Sequence, residues 1–361
     1  MTDLAKQNPL AADLDHILAR TGDLWEELRN ARLFITGGTG FFGMWLLESF
    51  VRANDTLNLN AQAVVLTRNA ARVQQQIPHL ATHPAIRLHS GDIRDFVFPA
   101  GSFSHIVHAA TESSSNLNGR EPAEMLDGIV NGTRRVLDFA VSCGAGRLLL
   151  TSSGTVYGPQ PPEIMHLPET YSGGPDHTNP RSAYAEGKRV AELLCSIYHQ
   201  RYGLAPTIAR GFAFVGPHLP LDVHFAIGNF IGDCLHGRAI EIRGDGTPYR
   251  SFLYAADLAI WLWTILLRGE PCRAYNVGSE QSLSIAETAA TVARVMQSPH
   301  GVRIARPATG RAPERYIPDT SRARRDLGLE QWISLEEAIR RTAAWHRRAA
   351  ETPQVQEVYA C

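Results

Sequence analysis

The chain has 361 residues but only two lysines, Lys6 and Lys188, against 33 arginines. Cysteine is also scarce, because the five cysteines are odd in number and at least 38 residues apart. Such spacing predicts neither a disulfide framework nor a paired-cysteine metal site. A reducing compartment is what this cysteine usage favours, so we predict a cytoplasmic protein.

Long apolar runs and an excess of charge of one sign are absent as well. The longest apolar run covers nine residues, 259–267, whereas a membrane-spanning helix needs about 20. The N-terminus has acids and Pro9 where a signal peptide would be basic and then apolar. The 35 basic and 36 acidic side chains give a formal net charge of -1, which predicts no attraction to nucleic acid or to an anionic membrane.

Short apolar runs alternate with amphipathic helical segments from Arg32 onwards. The composition is that of a globular protein, with 44% hydrophobic and 20% charged residues. The runs that predict strands are residues 32–36, 63–66, 106–108, 148–150 and 207–209. Their alternation with helices predicts an α/β fold, with a parallel sheet and helices on both of its faces.

A glycine-rich turn follows the first predicted strand and opens a helix, with the sequence TGGTGFFG at residues 36–43. Gly37 allows a tight turn, Gly40 lets the backbone approach a pyrophosphate, and Gly43 lets helix and strand pack closely. The helix N-terminus adds N–H donors and a favourable dipole. This context predicts a Rossmann-type, doubly wound domain that binds NAD or NADP.

The GxxGxxG spacing resembles that of the extended short-chain dehydrogenase/reductase family, and the resemblance runs from about Arg32 to His346. Further matching segments are GDI at 91–93, HAA at 108–110 and NGT at 131–133. The resemblance implies that Asp92 contacts adenine and that the HAA loop lies beside the cofactor. The cofactor contacts that we predict on this basis are Gly37, Thr39, Gly40, Phe41, Phe42, Gly43, Asp92, Ile93, Ala109, Ala110, Phe212, Tyr184 and Lys188.

The end of the second predicted strand bears on the choice between NAD and NADP. An acidic side chain there would accept a hydrogen bond from the 2′-hydroxyl of NAD, but the sequence has Thr67, Arg68 and Asn69. A guanidinium can pair with a 2′-phosphate, so Arg68 favours NADP slightly. The alternative is that Arg68 is a solvated arginine in an arginine-rich chain.

Tyr184 and Lys188 are four residues apart, on one face of a predicted helix. A nearby ammonium and an oxidised nicotinamide both favour the phenolate form of tyrosine, which can then act as a base. The family resemblance implies that Lys188 also binds the nicotinamide ribose. It further implies that Ser153, in TSSGTVYG at 151–158, relays a proton from the reacting sugar to Tyr184.

The same segment bears on the reaction type. The 4,6-dehydratases that the chain resembles carry Asp and Glu where it has Gly154 and Thr155, and UDP-glucuronate decarboxylases carry Glu at the second position. SSGTVYG therefore favours a 4-epimerase, which needs only hydride transfer from C4 of a nucleotide-diphosphate hexose and its return to the other face.

Two observations leave dehydration and decarboxylation open as alternative reactions. The loop HAATES at 108–113 resembles a dehydratase loop and makes Glu112 a candidate acid or base, the alternative being a loop carboxylate. Residues 180–192 resemble the decarboxylase form of the Tyr–Lys helix. A regulator that senses NADP without catalysis is a remote alternative, because such proteins typically lose the Tyr–Lys pair.

The segment at 210–217 resembles the family motif RxxNxxGP, except that Ala213 replaces the Asn that contacts the sugar nucleotide. Besides Ser153 and Thr155, the predicted substrate residues are Asn229, Arg250 and Arg315. Arginine suits diphosphate binding, although either arginine could instead form a surface salt bridge. The resemblance also implies a homodimer formed through paired helices.

We predict no metal site, because the loop histidines lack ligand spacing. These histidines are His166, His177, His218 and His224.

The domain organisation follows from these assignments. We predict a helical lead-in at 1–31, the NAD(P)-binding domain at 32–215, a smaller substrate-binding region at 216–350 that is partly interleaved with it, and a tail at 351–361. A Pro- and Gly-rich loop, 159–180, separates the two catalytic segments. In the smaller region, helices are predicted near 225–236, 255–268, 284–297 and 334–349.

Overall fold

The computed structural model describes residues 8–111, 121–223, 225–308 and 310–351. The strands are β1 (Arg32–Thr36), β2 (Gln62–Thr67), β3 (Ile86–Ser90), β4 (His105–His108), β5 (Arg147–Ser153), β6 (Ala205–Gly211), β7 (Phe214–Val215), β8 (Ile240–Ile242), β9 (Tyr249–Arg250), β10 (Leu253–Tyr254), β11 (Ala274–Val277), β12 (Leu283–Ser284), β13 (Val302–Ile304) and β14 (Arg315–Tyr316).

The α-helices are α1 (Ala11–Thr21), α2 (Phe41–Leu57), α3 (Ala70–Gln76), α4 (Pro78–Ala81), α5 (Pro122–Ser142), α6 (Ala183–Tyr202), α7 (Ala226–Leu235), α8 (Ala255–Arg268), α9 (Ile285–Val295), α10 (Ser321–Leu327) and α11 (Leu335–Glu351). Short 3-10 helices cover Gly22–Leu28, Gly154–Tyr157 and Pro180–Ser182. Within this described part of the chain, no helix is both long and apolar enough to cross a membrane.

Seven parallel strands form the central sheet, in the order β11-β6-β5-β4-β1-β2-β3. Helices cover both faces, so the predicted α/β, Rossmann-type fold is confirmed. β1 is an interior strand between β4 and β2, and its residues from Leu33 to Thr36 are buried. Strands buried on both faces are almost continuously apolar, and this is why RLFIT predicts a strand.

The two faces of the sheet are covered by different helices. α5 and α6 pack against each other beside β4 and β5, and α2 and α8 lie with α1 on the other side. The apolar run at 259–267 belongs to α8, whose residues from Ala255 to Leu267 are all buried. The predicted helix at 255–268 is confirmed, and α1 packs on it.

The C-terminal half of the chain returns to the central sheet. β11 pairs with β6 at the sheet edge, although it follows the short strands of the smaller region. In that region β9 pairs with β14, which places Arg250 opposite Tyr316. An isolated bridge between Leu167 and Pro318 ties the 159–180 loop to the same region. The numerical domain boundaries stay predictions.

Candidate active site

Three of the predicted site segments gather at one edge of the sheet. β1, β4 and β5 are parallel and all end there, and the glycine turn, the HAA loop and the SSGT turn lie at these strand ends or directly after them. In doubly wound folds this carboxyl edge is where ligands bind. The edge therefore brings the glycine turn, the HAA loop and the SSGT turn together.

The glycine turn has the geometry that a dinucleotide cradle requires. Gly37 has φ +71°, and a Cβ added there would lie 2.5 Å from the Ala109 backbone. A Cβ added at Gly43 would lie 2.1 Å from the Gly37 carbonyl oxygen. α2 starts after Gly40, whose lack of a side chain leaves the first-turn N–H groups without a side-chain cap. Thr39 and Gly40 are exposed, so a pyrophosphate fits this turn.

His108 fixes the HAA loop against the glycine turn. Its Nδ1 lies 2.9 Å from Thr36 Oγ1 and its Nε2 lies 3.1 Å from Thr133 Oγ1. Burial lowers the pKa of His108 to about 3, and the charge of Lys188 acts in the same direction. Thr36 Oγ1 also accepts a hydrogen bond from the Ala110 amide at 3.1 Å. The imidazole is therefore neutral at physiological pH and acts as a bridge between β1, β4 and α5.

The predicted adenine end lies at the neighbouring strand ends. Asp92 follows β3, and its Oδ1 accepts a hydrogen bond from Arg94 Nε at 2.8 Å. This bond holds the pKa of Asp92 below its usual value, and the positive charge of Arg68 adds to the effect. Arg68 is exposed at the end of β2, and Ile93 lies against Gly132 on α5.

The structure brings Tyr184, Lys188 and Ser153 together. Lys188 is buried, and its Nζ donates hydrogen bonds of 2.7 Å to the Thr151 carbonyl oxygen and to Thr111 Oγ1. Burial lowers the pKa of Lys188 to about 8. Its Nζ lies 5.9 Å from the centre of the Tyr184 ring. Burial raises the pKa of Tyr184, and its hydrogen bond with Ser153 opposes that rise.

A partly buried ion pair holds the Tyr–Lys helix one turn beyond Lys188. Arg210 in β6 binds both oxygens of Glu192, with distances of 3.0 Å from Nε and 2.6 Å from the terminal nitrogen. Ser152 Oγ donates to the same carboxylate at 2.5 Å. The negative charge of Glu192 raises the pKa of Lys188 against the larger effect of burial. The pair therefore positions α6 on the sheet and favours the charged lysine.

Ser153 is the centre of a cluster of hydroxyl groups. Its Oγ is 3.2 Å from the amide nitrogen of Thr155 and 3.0 Å from Thr155 Oγ1. It is also hydrogen-bonded to the phenol of Tyr316, which packs on the predicted cofactor residue Phe212 with ring centres 4.6 Å apart. Sequence reasoning missed Tyr316, because the RYIPD segment was assigned a role through Arg315 alone.

The two arginines predicted to bind diphosphate lie on the neighbouring strands β9 and β14. Arg250 donates to the Tyr249 carbonyl oxygen at 2.8 Å and lies 3.7 Å from Glu314. The Arg315 guanidinium lies 4.3 Å from the centre of the Tyr249 ring. Both arginines are half-buried and already have protein partners, which a bound diphosphate would have to supplement or displace.

The surroundings of the remaining predicted residues say less about their roles. Asn229 is half-buried in the first turn of α7. Ala213 contributes its carbonyl oxygen to the amide of Leu253 at 3.0 Å and has no polar side chain. The candidate acid or base Glu112 lies outside the described residues, and so does His224.

Comparisons with known proteins show which family the chain resembles in sequence and in fold. Residues 33–278 match the model of the NAD dependent epimerase/dehydratase family. UDP-glucuronic acid decarboxylase 6 from Arabidopsis thaliana is 30% identical over 310 residues, 86% of this chain and 87% of that protein. The NAD-bound dTDP-glucose 4,6-dehydratase DesIV from Streptomyces venezuelae has a TM-score of 0.74 at 25% identity, covering 90% of this chain and 99% of that one. UDP-glucose 4-epimerase from Thermotoga maritima has a TM-score of 0.74 at 20% identity, covering 88% and 99%, which concerns the fold alone.

Proposed function

Since this chain belongs to the NAD dependent epimerase/dehydratase family, we propose that it oxidises C4 of a nucleotide-diphosphate sugar to a 4-keto intermediate, as a 4-epimerase. The observation that carries the proposal is the hydrogen bond between Tyr184 and Ser153, with the buried ammonium of Lys188 beside them. This arrangement supplies a base, a proton relay and a positive charge at the point where the strands end.

The chain's own residues move and hold the proton. Tyr184 as phenolate accepts the proton of the sugar 4-hydroxyl, through Ser153 or beside it, and Lys188 stabilises the phenolate by its charge. A bound nicotinamide would supply the acceptor for the C4 hydride and the source of the hydride that returns. The glycine turn would hold the pyrophosphate, Asp92 the adenine end and Lys188 the ribose.

The epimerase assignment is supported by what stands next to Ser153. Gly154 and Thr155 provide no ionisable side chain, and in the described part of this turn the polar groups are hydroxyls. Elimination of water needs an acid and a base, whereas epimerisation needs only that the 4-keto sugar turn over before hydride returns. Because neither Gly154 nor Thr155 can act as an acid or a base, this turn suits epimerisation better than elimination of water.

A UDP-glucuronate decarboxylase is the second candidate. The observation that favours it is the 30% identity with a plant decarboxylase over most of both chains. The first step would be the same, because oxidation at C4 places a carbonyl β to the sugar carboxylate, and CO2 is then lost. A 4,6-dehydratase ranks third, since it would depend on Glu112 for acid–base chemistry.

For the cofactor, we propose NAD or NADP, with Arg68 giving a slight preference for NADP. Its exposed guanidinium at the end of β2 can meet a 2′-phosphate, whereas the dehydratase DesIV was solved with NAD. Fluorescence titration of both reduced cofactors against the wild type and Arg68→Ala tests the preference. Selective weakening of NADPH binding in the variant supports it, and equal effects on both cofactors contradict it.

We also propose that the protein forms a homodimer through α5 and α6. These helices carry large apolar side chains with much of their surface exposed: Leu126, Val141, Leu193, Ile197 and Tyr202. Leu193 is 59% and Ile197 is 44% exposed, and the two lie four residues apart on one helix face. Leu193 and Ile197 therefore give α6 an exposed apolar pair on one face, and such faces are typical of an interface.

Product analysis tests the proposed reaction. The purified protein is incubated with UDP-glucose, UDP-glucuronate or dTDP-glucose, and the products are resolved by NMR. An epimerase yields the 4-epimer, a decarboxylase yields a pentose derivative, and a dehydratase yields a 4-keto-6-deoxy sugar. Tyr184→Phe serves as the inactive control that keeps cofactor binding, and turnover of no sugar nucleotide would contradict the proposal.

A further inference from the structure

The ammonium of Lys188 is held by two oxygen atoms that come from different strand ends. Its Nζ donates to the Thr151 carbonyl oxygen in β5 and to Thr111 Oγ1, in the loop after β4, and both distances are 2.7 Å. An ammonium has three N–H donors. The contacts with the described residues therefore use two of them and leave the third for a ligand.

The hydroxyl of Thr111 acts on Lys188 only as an acceptor. Its own proton is donated to the Ala110 carbonyl oxygen, at 2.7 Å. An acceptor aimed at an ammonium favours the charged form of the lysine, because a neutral amine makes a weaker hydrogen bond. Thr111 therefore stabilises the charge of Lys188 as well as its position.

The loop that carries Thr111 is fixed by the sheet. The Ala110 amide donates to Thr36 Oγ1 at 3.1 Å, and Thr151 Oγ1 donates to the His108 carbonyl oxygen at 3.2 Å. The second bond ties the strand that supplies one acceptor of the ammonium to the strand that leads to the other. The two acceptors therefore keep their separation, and together they fix the direction of the third N–H.

The groups that face Lys188 leave its ammonium close to losing its proton. Burial lowers the pKa of Lys188 to about 8, and the smaller effect of Glu192 raises it. Tyr184 and Cys195 face the ammonium from α6, and His108 faces it from β4. Burial lowers the pKa of His108 to about 3 and raises the pKa of the Cys195 thiol, so both groups are neutral at physiological pH. Loss of one acceptor would therefore shift the deprotonation of Lys188 within a pH range that can be measured.

We propose that Thr111 is a positioning residue, which anchors the ammonium of Lys188 so that the third N–H meets a hydroxyl of the nicotinamide ribose. This inference rests on the proposed function, in which Lys188 binds that ribose. It goes beyond that function, because neither the glycine turn nor the Tyr–Lys pattern assigns a role to Thr111. A residue without a side-chain oxygen at this place could not supply the second acceptor.

Thr111→Val tests the anchor, because it removes the hydroxyl and keeps the branched shape. The dissociation constant of the reduced cofactor, NADH or NADPH, is measured by fluorescence titration from about pH 6 to about pH 10. For the wild type we expect the constant to rise as Lys188 loses its proton, near a pKa of about 8. For Thr111→Val the rise should begin about one pH unit lower, and binding at about pH 7 should be about 2- to 10-fold weaker.

Two variants control for the shape of the side chain and for the loss of a buried hydroxyl in general. Thr111→Ser keeps the hydroxyl and should restore the pH dependence of the wild type. Thr264→Val removes a buried hydroxyl in α8, which donates to the Ile260 carbonyl oxygen at 2.8 Å, and it should leave the pH dependence unchanged. Thr111→Ala adds no apolar branch and replaces Thr111→Val if that variant does not melt like the wild type.

The kinetics of a sugar nucleotide that the wild type turns over give a second readout. The alkaline limb of kcat against pH should move about one unit lower in Thr111→Val. KM for the sugar nucleotide should stay unchanged, because Thr111 acts through Lys188 and the cofactor. A change confined to KM would contradict the assignment.

Three results of the cofactor titration would overturn the assignment while leaving the proposed function intact. One is the same pH dependence in Thr111→Val as in the wild type. Another is a Thr111→Ser variant that behaves like Thr111→Val, since the hydroxyl would then not matter. The third is tighter cofactor binding by Thr111→Val, which would mean that Thr111 competes with the ribose. If the wild type itself shows no weakening of cofactor binding with pH, the proposed contact between Lys188 and the ribose fails together with the assignment of Thr111.

Discussion

The ammonium of Lys188 is the single group on which the proposed chemistry depends most. It is buried and makes two hydrogen bonds of 2.7 Å to neighbouring elements. Arginine would place a larger, planar group with five donors in a space that suits a compact charge. This explains why a chain with 33 arginines and two lysines uses a lysine at this position.

Replacing Lys188 by Gln should move the pH profile of the reaction. The ammonium favours the phenolate form of Tyr184, so its loss raises the pKa of that phenol beyond the rise that burial already causes. The acidic limb of kcat against pH should therefore shift to higher pH, with kcat at neutral pH reduced by about 100-fold. Lys6→Gln, at the chain's other lysine, is the control and should behave as the wild type. An unchanged acidic limb in Lys188→Gln would contradict this role.

Local patterns were enough to select the proposed catalytic residues that the structure brings together. Tyr184 and Lys188 share one helix face, and Ser153 follows a strand with a recognisable turn. Tyr316 and Thr111 carry no such pattern, because they reach the site from elements distant in sequence. His108 was quoted as part of a motif, but its bridging role depends on Thr36 and Thr133, which only the fold brings to it.

At the scale of elements, the approach of α2 to the glycine turn is the closest packing that the site requires. Gly43→Ala should weaken cofactor binding and lower the melting temperature, because the new Cβ would lie 2.1 Å from the Gly37 carbonyl oxygen. Gly128→Ala is the matched control in α5, where a Cβ would meet nothing within 4 Å. It should be neutral or stabilising by up to about 1 kcal/mol. Calorimetry and cofactor titration of both variants check the prediction, and similar behaviour of the two would contradict it.

The exposed apolar face of α5 and α6 makes a prediction about assembly. Leu193→Glu combined with Ile197→Glu places two charges on this face and should convert the dimer into a monomer. Light scattering, which measures the molar mass, checks this prediction. Val97→Glu is the control, since Val97 is 77% exposed but lies between β3 and β4. A monomeric wild type, or a double variant with unchanged mass, would contradict the proposed dimer.

The helices and central strands could be predicted where the hydrophobic periodicity is strong, but the two edge strands of the central sheet could not. The helix predicted at 255–268 matches α8, because the run at 259–267 is apolar apart from Thr264 and is followed by Arg268. β3 was missed because an edge strand with Arg87 and His89 lacks a continuous apolar pattern. β11 forms the other edge of the sheet although it lies far along the chain, and no local sequence pattern predicts that a strand of the C-terminal half pairs with β6.

At the scale of the whole molecule, the ends of the described chain are joined through buried polar groups. Asp13 in α1 accepts a hydrogen bond from Tyr254 at 2.6 Å and another from Arg341 in α11 at 2.5 Å. The lead-in, the smaller region and the last helix therefore form one packed structure around α8. Folding of the sheet and folding of the substrate region are expected to be coupled.

Buried histidines should make this structure sensitive to mild acid. Burial lowers the pKa of His105, His218 and His346 to about 4 and that of His108 to about 3. Below about pH 6.5 the unfolded chain binds protons that the folded chain excludes, so stability falls as the pH decreases from there towards 4. His79 has the opposite effect, because its hydrogen bond with Glu48 raises its pKa and stabilises the folded chain as the pH falls. This stabilisation is fully present below about pH 6.5, so it does not offset the loss of stability at lower pH.

A single substitution isolates one part of this effect. His105→Asn should reduce the loss of unfolding free energy between pH 7 and 5 by about 1 to 2 kcal/mol. His177→Asn, at an exposed loop position, is the control and should lose as much stability as the wild type. Urea unfolding at both pH values provides the measurement, and equal pH dependence of the two variants would show that His105 does not contribute.

The most direct test of the proposed chemistry is the fate of the hydrogen at C4. Sugar nucleotides carrying deuterium at C4 are mixed with the cofactor-loaded protein, and the rate and the position of the label are followed by stopped-flow absorbance and NMR. The account predicts a primary isotope effect on formation of reduced nicotinamide, with the label back at C4 of a 4-epimer. The absence of both a deuterium effect and reduced nicotinamide with every sugar nucleotide, or a 4-epimer that has lost the C4 label to solvent, would contradict it.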